Sequence, residues 1–292
     1  MKFISKLDII IIAILCILLL DSNLRLTTTE YDISSQRLPS EFEGYKIVQL
    51  SDLHTMEFGK DNHRLVKKVA ALEPDLIALT GDYIEEAEDI AIVETLVGQL
   101  SEIAPVYFTS GNHDWASKAI KELEAAIDSH GGSYLSNEHL LLERDGASII
   151  LAGVEDPNGR ADMPKPDEVC EQIHAAYPDS FVMLMAHRNN FPARYPELPC
   201  DVIFTGHGHG GLIRLPFVGG LIGTELNFFP IYDAGLFESG RYTMVVSRGL
   251  GGAPFYPRLL NNPEIVTVTL HTKYLSYLSY LCIYWFVCDN RR

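Results

Sequence analysis

The hydrophobic positions of this chain fall into short continuous runs separated by stretches where apolar residues alternate with polar ones at helical spacing. The runs have strand length and lie at Tyr45–Leu50, Leu76–Thr80, Val106–Thr109, Ser148–Ala152, Phe181–Met185 and Val202–Thr205. Amphipathic stretches of helical length lie between several of them, at Asn62–Leu72, Asp89–Glu102, Trp115–His130 and Asp167–Tyr177. Alternating strands and helices predict an α/β fold with a largely parallel sheet covered on its faces, because unbroken apolar strands need both faces buried. After Thr205 the pattern gives way to Gly- and Pro-rich loops. Two later strands, Tyr242–Ser247 and Ile265–Leu270, have no helix between them and are expected to pair antiparallel.

The two ends read differently. Lys2 and Lys6 precede an apolar run from Ile9 to Leu20 that stops at Asp21. With no polar stripe, that run reads as a signal anchor more readily than as a buried core helix. No A-x-A site follows and no lipobox precedes Cys16. We therefore expect an uncleaved, single-pass anchor in the cell membrane, with a cleaved signal peptide as the alternative. The lysines on its N-terminal side place the rest of the chain outside the cytoplasm. At the other end, Tyr274 to Val287 reads YLSYLSYLCIYWFV before Arg291 and Arg292. It fits neither helical nor strand periodicity, and is either a segment at the membrane interface or a tail with little structure. There is no internal repeat or long linker, which leaves one catalytic domain, 24–271, between an anchor at 1–23 and a tail at 272–292.

Composition narrows the function. A formal net charge of -16 argues against nucleic acid as a partner, which would need a basic face to neutralise its backbone. Phosphate chemistry is not excluded, because bound divalent ions invert the local field. The five cysteines form no CxxC pair. Cys170 and Cys200 are read as two semi-buried thiols, with a disulfide between them as the alternative in an exported domain.

The candidate chemistry sits where the apolar runs end, in VQLSDLH, IALTGDY, YFTSGNHD, MLMAHRN and VIFTGHGHG. In open α/β sheets ligands bind beyond the carboxyl ends of the strands, so these segments deliver their polar groups to one edge. Asp52, His54, Asp82, Asn112, His113, His187, His207 and His209 supply carboxylate, carboxamide and imidazole but no thiolate. That set suits Mn, Fe or Zn better than a structural Cys-rich site. It offers more ligands than one ion needs, which suits two divalent metal ions sharing a bridge. Such a pair can clamp the attacking and leaving oxygens of a displacement at phosphorus and lower the pKa of a bridging water toward about 7.

The ordered set DLH, GDY, GNHD, AH and GHGH resembles the calcineurin-like metallophosphoesterase superfamily over about Leu26 to Leu270. GHGHGGLIRLP and VSRGLGG resemble its membrane-anchored bacterial phosphodiesterase branch. The resemblance implies a four-layer αββα sandwich of two mixed β-sheets flanked by helices. It also implies roles: Asp52, His54 and His209 on the first metal, Asn112, His187 and His207 on the second, and Asp82 bridging them. His113 would act on the leaving oxygen as a catalytic residue, with Asp114 orienting it. Gly208 stands where the branch usually has Thr or Ser, Leu212 where it has Gln, and Arg188–Asn189–Asn190 where a proline is common. These departures touch substrate contacts. Arg188 and Arg214 lie next to ligand histidines in sequence and are candidate substrate-binding residues, with ion pairs to carboxylates as the alternative. Phe228, Phe229, Phe237, Phe255 and Tyr256 form either an apolar rim for a lipid tail or core of a second sheet. The expected activity is hydrolysis of a phosphodiester or pyrophosphate, in a lipid-linked or cell-envelope substrate, by metal-bridging hydroxide. A phosphomonoesterase and a membrane-tethered non-catalytic scaffold are the alternatives. The sequence leaves oligomeric state open.

Overall fold

The computed structural model describes residues 5–224, 226–252 and 258–273. The aromatic run from Tyr274 and the pair Phe255–Tyr256 lie outside the described residues. The helices are α1 (Lys6–Leu24), α2 (His63–Ala70), α3 (Ile90–Ser101), α4 (Asn112–Ala116), α5 (Ile120–Ser129), α6 (Pro166–Ala176) and α7 (Phe191–Arg194). The first strands are β1 (Thr27–Ser35), β2 (Lys46–Leu50), β3 (Leu76–Thr80), β4 (Val106–Thr109), β5 (Gly132–Tyr134), β6 (Glu138–Arg144) and β7 (Ala147–Gly153). They are followed by β8 (Val182–Met185), β9 (Val202–Thr205), β10 (Ile213–Leu215), β11 (Gly219–Ile222), β12 (Gly235–Ser239), β13 (Tyr242–Val246) and β14 (Glu264–Thr272).

Two mixed sheets of six strands each face one another, in the orders β1-β14-β2-β3-β4-β5 and β12-β13-β9-β8-β7-β6. Strand alternation builds the layers. Leu76 and Ala78 of β3 turn inward to meet Met183, Val202 and Phe204 of the second sheet. Their neighbours Ile77 and Leu79 turn outward, under Val69, Val93, Val97 and Leu123 of the helices α2, α3 and α5. The outer face of the second sheet does the same with Leu184 and Ile203 against Val169 and Ile173 of α6 and Phe191 of α7. Because β2, β3 and β4 run parallel, as do β7, β8, β9 and β13, their carboxyl ends gather at one edge of the sandwich.

Two expectations change. The strands at Tyr242–Ser247 and Ile265–Leu270 do not pair with each other: β13 runs parallel to β9, while β14 lies in the other sheet between β1 and β2. Lacking a crossover helix, they cross from one sheet to the other instead of folding back within one. The single helix expected over Trp115–His130 breaks into α4 and α5 at Lys118, whose φ is 62°. Cys170 and Cys200 are free thiols as expected, fully buried in the outer core of the second sheet.

Helix α1 is long and apolar enough to cross a membrane, and its apolar side chains stand exposed. Its 19 residues rise about 28 Å, close to a bilayer's hydrocarbon thickness. Its last turn is fastened to the body. The Ser22 hydroxyl accepts from the Leu260 N–H (2.7 Å), the Asn262 amide donates to the Asp21 carbonyl (2.7 Å), and the Asn23 amide donates to the Arg258 carbonyl (3.0 Å). The boundary expected after residue 23 thus falls inside a stretch bonded to the catalytic body.

Candidate metal centre

The polar residues that follow each parallel strand meet at the gathered edge. Asp52 and His54 follow β2, Asp82 follows β3, Asn112 follows β4, His187 follows β8, and His207 and His209 follow β9. Sharp turns deliver them. Asp52, His54, Asp82, His207 and His209 have φ of 52°, 45°, 59°, 64° and 47°, a conformation that non-glycine residues seldom adopt. Each costs on the order of 1–3 kcal/mol and persists only when the surroundings over-determine it. Here the loops hold one another: the Asp52 N–H donates to the Gly81 carbonyl (2.9 Å) and the His54 N–H to the Asp82 carbonyl (3.0 Å). Gly111 is required because a Cβ there would collide with the Asp82 carboxylate.

The donors form two sets. Ligand atoms of Asp52, His54 and His209 all lie within 4.8 Å of one another, and so do those of Asp82, His187 and His207. His54 Nε2 is 3.1 Å from His209 Nε2, and His209 Nε2 is 3.4 Å from Asp52 Oδ1. Asp82 Oδ2 lies 3.0 Å from His187 Nε2 and 3.7 Å from His54 Nε2. The Asn112 side-chain oxygen is buried and has no hydrogen-bond partner. Buried polar atoms are rarely left so, and an orphaned carboxamide oxygen among imidazoles and carboxylates fits a divalent cation. His187 is already oriented, since its Nδ1 meets the Thr80 carbonyl at 2.9 Å and leaves Nε2 facing Asp82.

Charge is concentrated on Asp82. Burial alone would raise its carboxyl, but the His187, His54 and His113 imidazoles outweigh burial and hold it far below the usual range. Reciprocally, burial works against the His187 cation, yet Asp82 lifts its pKa to about 10. Burial pushes His207 down to about 2, helped by the cations of His187 and Arg188, and pushes His209 down to about 3. Neutral imidazoles are the form that ligates a metal.

Residues 45–211 match the model of the calcineurin-like phosphoesterases. The chain belongs to that family. It is a metallophosphoesterase, a hydrolase of phosphoric esters whose family works with divalent metals. It is 29% identical over 253 residues to the metallophosphoesterase YkuE of Bacillus subtilis, covering 83% of this chain and 85% of that one. It is 27% identical over 247 residues to the phosphodiesterase YaeI of Escherichia coli, covering 77% and 82%. It is 25% identical over 281 residues to the UDP-2,3-diacylglucosamine pyrophosphatase LpxG of Chlamydia muridarum, covering 78% and 85%.

Around the donors of this phosphoesterase, Asp114 takes a part other than the one expected, and Arg188 and Arg214 take the alternative of ion pairs to carboxylates. Asp114 does not touch the His113 ring. Its fully buried carboxylate accepts four backbone N–H groups, from Tyr83 and Ile84 on one oxygen and from Asp82 and Gly111 on the other, at 2.8–3.1 Å. It ties the β3 loop to the start of α4. Burial and the Asp82 charge push its carboxyl up to about 6, while those N–H groups pull the other way. The carboxylate at His113 is Glu85, 2.7 Å from Nδ1, whose other oxygen lies 2.5 Å from His54 Nδ1. Its hydrogen bond raises the His113 pKa, against partial burial. Arg188 forms a two-pronged pair with buried Asp156 (2.6 and 3.1 Å) and places Nη1 2.9 Å from His207 Nε2. Arg214 is held by Asp233 (2.9 Å) and the Gly210 carbonyl (2.7 Å), in a crevice beside α1 and away from the donors. In an acidic chain both guanidiniums find nearby carboxylates.

Sequence reasoning missed Glu85 and saw Asp156 only as a strand-end carboxylate without a role. Glu85 stands three residues after Asp82, hidden in an acidic run, and Asp156 ends a strand as the ligands do. Gly208 also acquires a reason: a Cβ there would lie 2.5 Å from the Asn189 amide nitrogen, which donates to the Tyr232 carbonyl (2.6 Å).

Proposed function

We propose that this phosphoesterase holds two divalent ions and hydrolyses a phosphodiester or pyrophosphate bond in a lipid-linked or cell-envelope substrate. The position of Asp82 carries the reading, because one carboxylate oxygen lies within 3.0 Å of a donor in one set and 3.7 Å of a donor in the other. In this reading Asp52, His54 and His209 hold one ion, Asn112, His187 and His207 hold the second, and Asp82 reaches both. Ions bound there polarise the phosphoryl oxygens and supply an activated water at neutral pH. His113 is the proton donor to the leaving oxygen: Glu85 on Nδ1 keeps the ring charged and oriented, and leaves Nε2 to face the substrate.

A crevice of about 210 Å³ opens beside His207, lined by Asn189, Gly208, Thr224, Asn227, Ile231 and Tyr232 among others. It offers uncharged groups for the second ester arm of a diester, where a dianionic monoester would favour cations. The activities named for the relatives from E. coli and C. muridarum support a diester or pyrophosphate, and the second supports a lipid link. The exposed α1 supports an uncleaved anchor, with Lys2 and Lys6 cytoplasmic and the catalytic domain, 24–271, outside.

The test uses the full chain in detergent, with elemental analysis and assays of bis-(p-nitrophenyl) and p-nitrophenyl phosphate in Mn²⁺. We expect about two ions per chain, faster turnover of the diester, and loss of both metal and activity in Asp82→Asn. A metal-free, inactive wild type would refute the reading, and a preference for the monoester would refute its diester half.

A further inference from the structure

The hairpin β10–β11 stands apart from both sheets and carries an unusual surface. At its turn Phe217 is fully exposed, next to exposed Val218. The chain then folds back along β11: Ile222 bridges Phe228, and the Phe229 N–H donates to the Leu221 carbonyl (3.0 Å). This return adds Leu226, Phe228, Phe229 and Ile231, each more than half exposed. Soluble surfaces scatter apolar residues singly, and a contiguous patch of this kind marks a binding surface.

Its neighbour identifies the occupant. Residues 214–219 share a crevice with Leu18, Asp21 and Arg25 of the anchor end, together with Leu260 and Asn262. Leu18 lies inside the apolar run of α1, about 4.5 Å along the helix from Asp21. Because α1 is fastened to residues 258–262, the level of the hairpin tip relative to the helix is set. A helix inserted to Leu20 carries Phe217 and Val218 into the same bilayer. Charge cannot be the attraction, since a net charge of -16 opposes an anionic surface.

We infer that the hairpin tip, Phe217 and Val218, and the returning residues 226–231 make a second membrane contact, with their apolar side chains seated in lipid beside α1. The inference rests on the anchor reading given above. The same return loop supplies Gly223, Thr224, Asn227 and Ile231 to the crevice beside His207. Seating the loop therefore brings the mouth of the metal centre to headgroup level, where a lipid phosphodiester or pyrophosphate reaches it by lateral diffusion.

Full-length protein reconstituted in phosphatidylcholine vesicles, with or without brominated acyl chains, tests this. Phe217→Trp and Phe229→Trp probe the loop and Leu15→Trp probes the helix, each read as a difference from the parent with its native Trp115 and Trp285. All three added indoles should lose most of their emission to the brominated chains, and 0.5 M salt should not restore it. Quenching at position 15 alone overturns the inference and leaves the anchor standing. Loss of quenching at all three overturns the anchor reading and this inference with it. Blue-shifted emission at 217 without quenching means that protein, such as a second copy of the chain, covers the loop. Salt-reversible quenching means an electrostatic contact. Either result overturns the inference.

Discussion

Asp114→Asn separates a scaffold carboxylate from a catalytic one. The wild-type oxygens each accept two backbone N–H groups in a fully buried position. The asparagine oxygen can keep one pair, but its NH₂ then faces the other two donors at hydrogen-bond distance. Losing two bonds to a charged acceptor costs about 3–6 kcal/mol. Removing a buried negative charge from beside Asp82 offsets part of that, leaving a net loss of about 2–4 kcal/mol. For a catalytic body of this size that lowers the melting temperature by roughly 5–15 °C. The orphaned donors are either the pair from Tyr83 and Ile84 or the pair from Asp82 and Gly111, at or beside the proposed ligands Asp82 and Asn112, so metal content should fall as well. The assay is thermal melting of the full chain with Mn²⁺ and with chelator, paired with elemental analysis. If the variant melts within about 1 °C of wild type, keeps its metal and yet loses turnover with a displaced pH profile, the argument is wrong. Asp114 would then act through His113, as the sequence motif suggested.

Three further outcomes follow from the same geometry. Gly111→Ala should abolish metal binding, because its Cβ collides with the Asp82 carboxylate, whereas Gly98→Ala, within α3 and with its nearest neighbour at 3.9 Å, should retain metal and activity. Arg188→Ala should leave the buried Asp156 carboxylate unpaired and destabilise the fold by up to about 3–5 kcal/mol in thermal melting, and Arg188→Lys should recover only part of it, since a lysine cannot hold Asp156 through two prongs. The metal-free protein should lose melting temperature between pH 7 and pH 10. There the raised His187 pKa gives stability that is complete below about 6.5 and vanishes as pH rises through about 10, while the metal-loaded protein, with His187 neutral, should hold steady.

The strands that carry the site were legible because an apolar run such as Leu76–Thr80 must be covered on both faces, and few other structures allow that. The donors were legible because hard ligands at strand ends have no packing purpose. Edge strands were not legible: β1 pairs with β14 but is half-exposed, so Thr27–Ser35 shows no apolar run. Nor were pairings at long range. Nothing local in Arg188 points to Asp156, 32 residues away, over a phosphate oxygen. His113 met Glu85 and left Asp114 to the backbone because the turn after β3 brings Glu85 over the ring, a geometry that motif spacing does not encode.

The fastening of α1 bears on how the protein can be trimmed for study. Residues 258–262, which receive the helix end, also hold the metal centre from behind. The Asn261 amide donates to the carbonyls of His209 and Gly211, and Arg258 lies buried with Nη2 3.4 Å from His209 Nδ1. A truncation that starts at Leu24 deletes Asp21, Ser22 and Asn23, stripping three partners from that strap and loosening His209 by way of its neighbours. A truncation that starts at Asp21 removes the greasy cylinder and spares the clasp. Soluble versions of this enzyme that differ by three residues at their start should therefore differ in how firmly they keep metal.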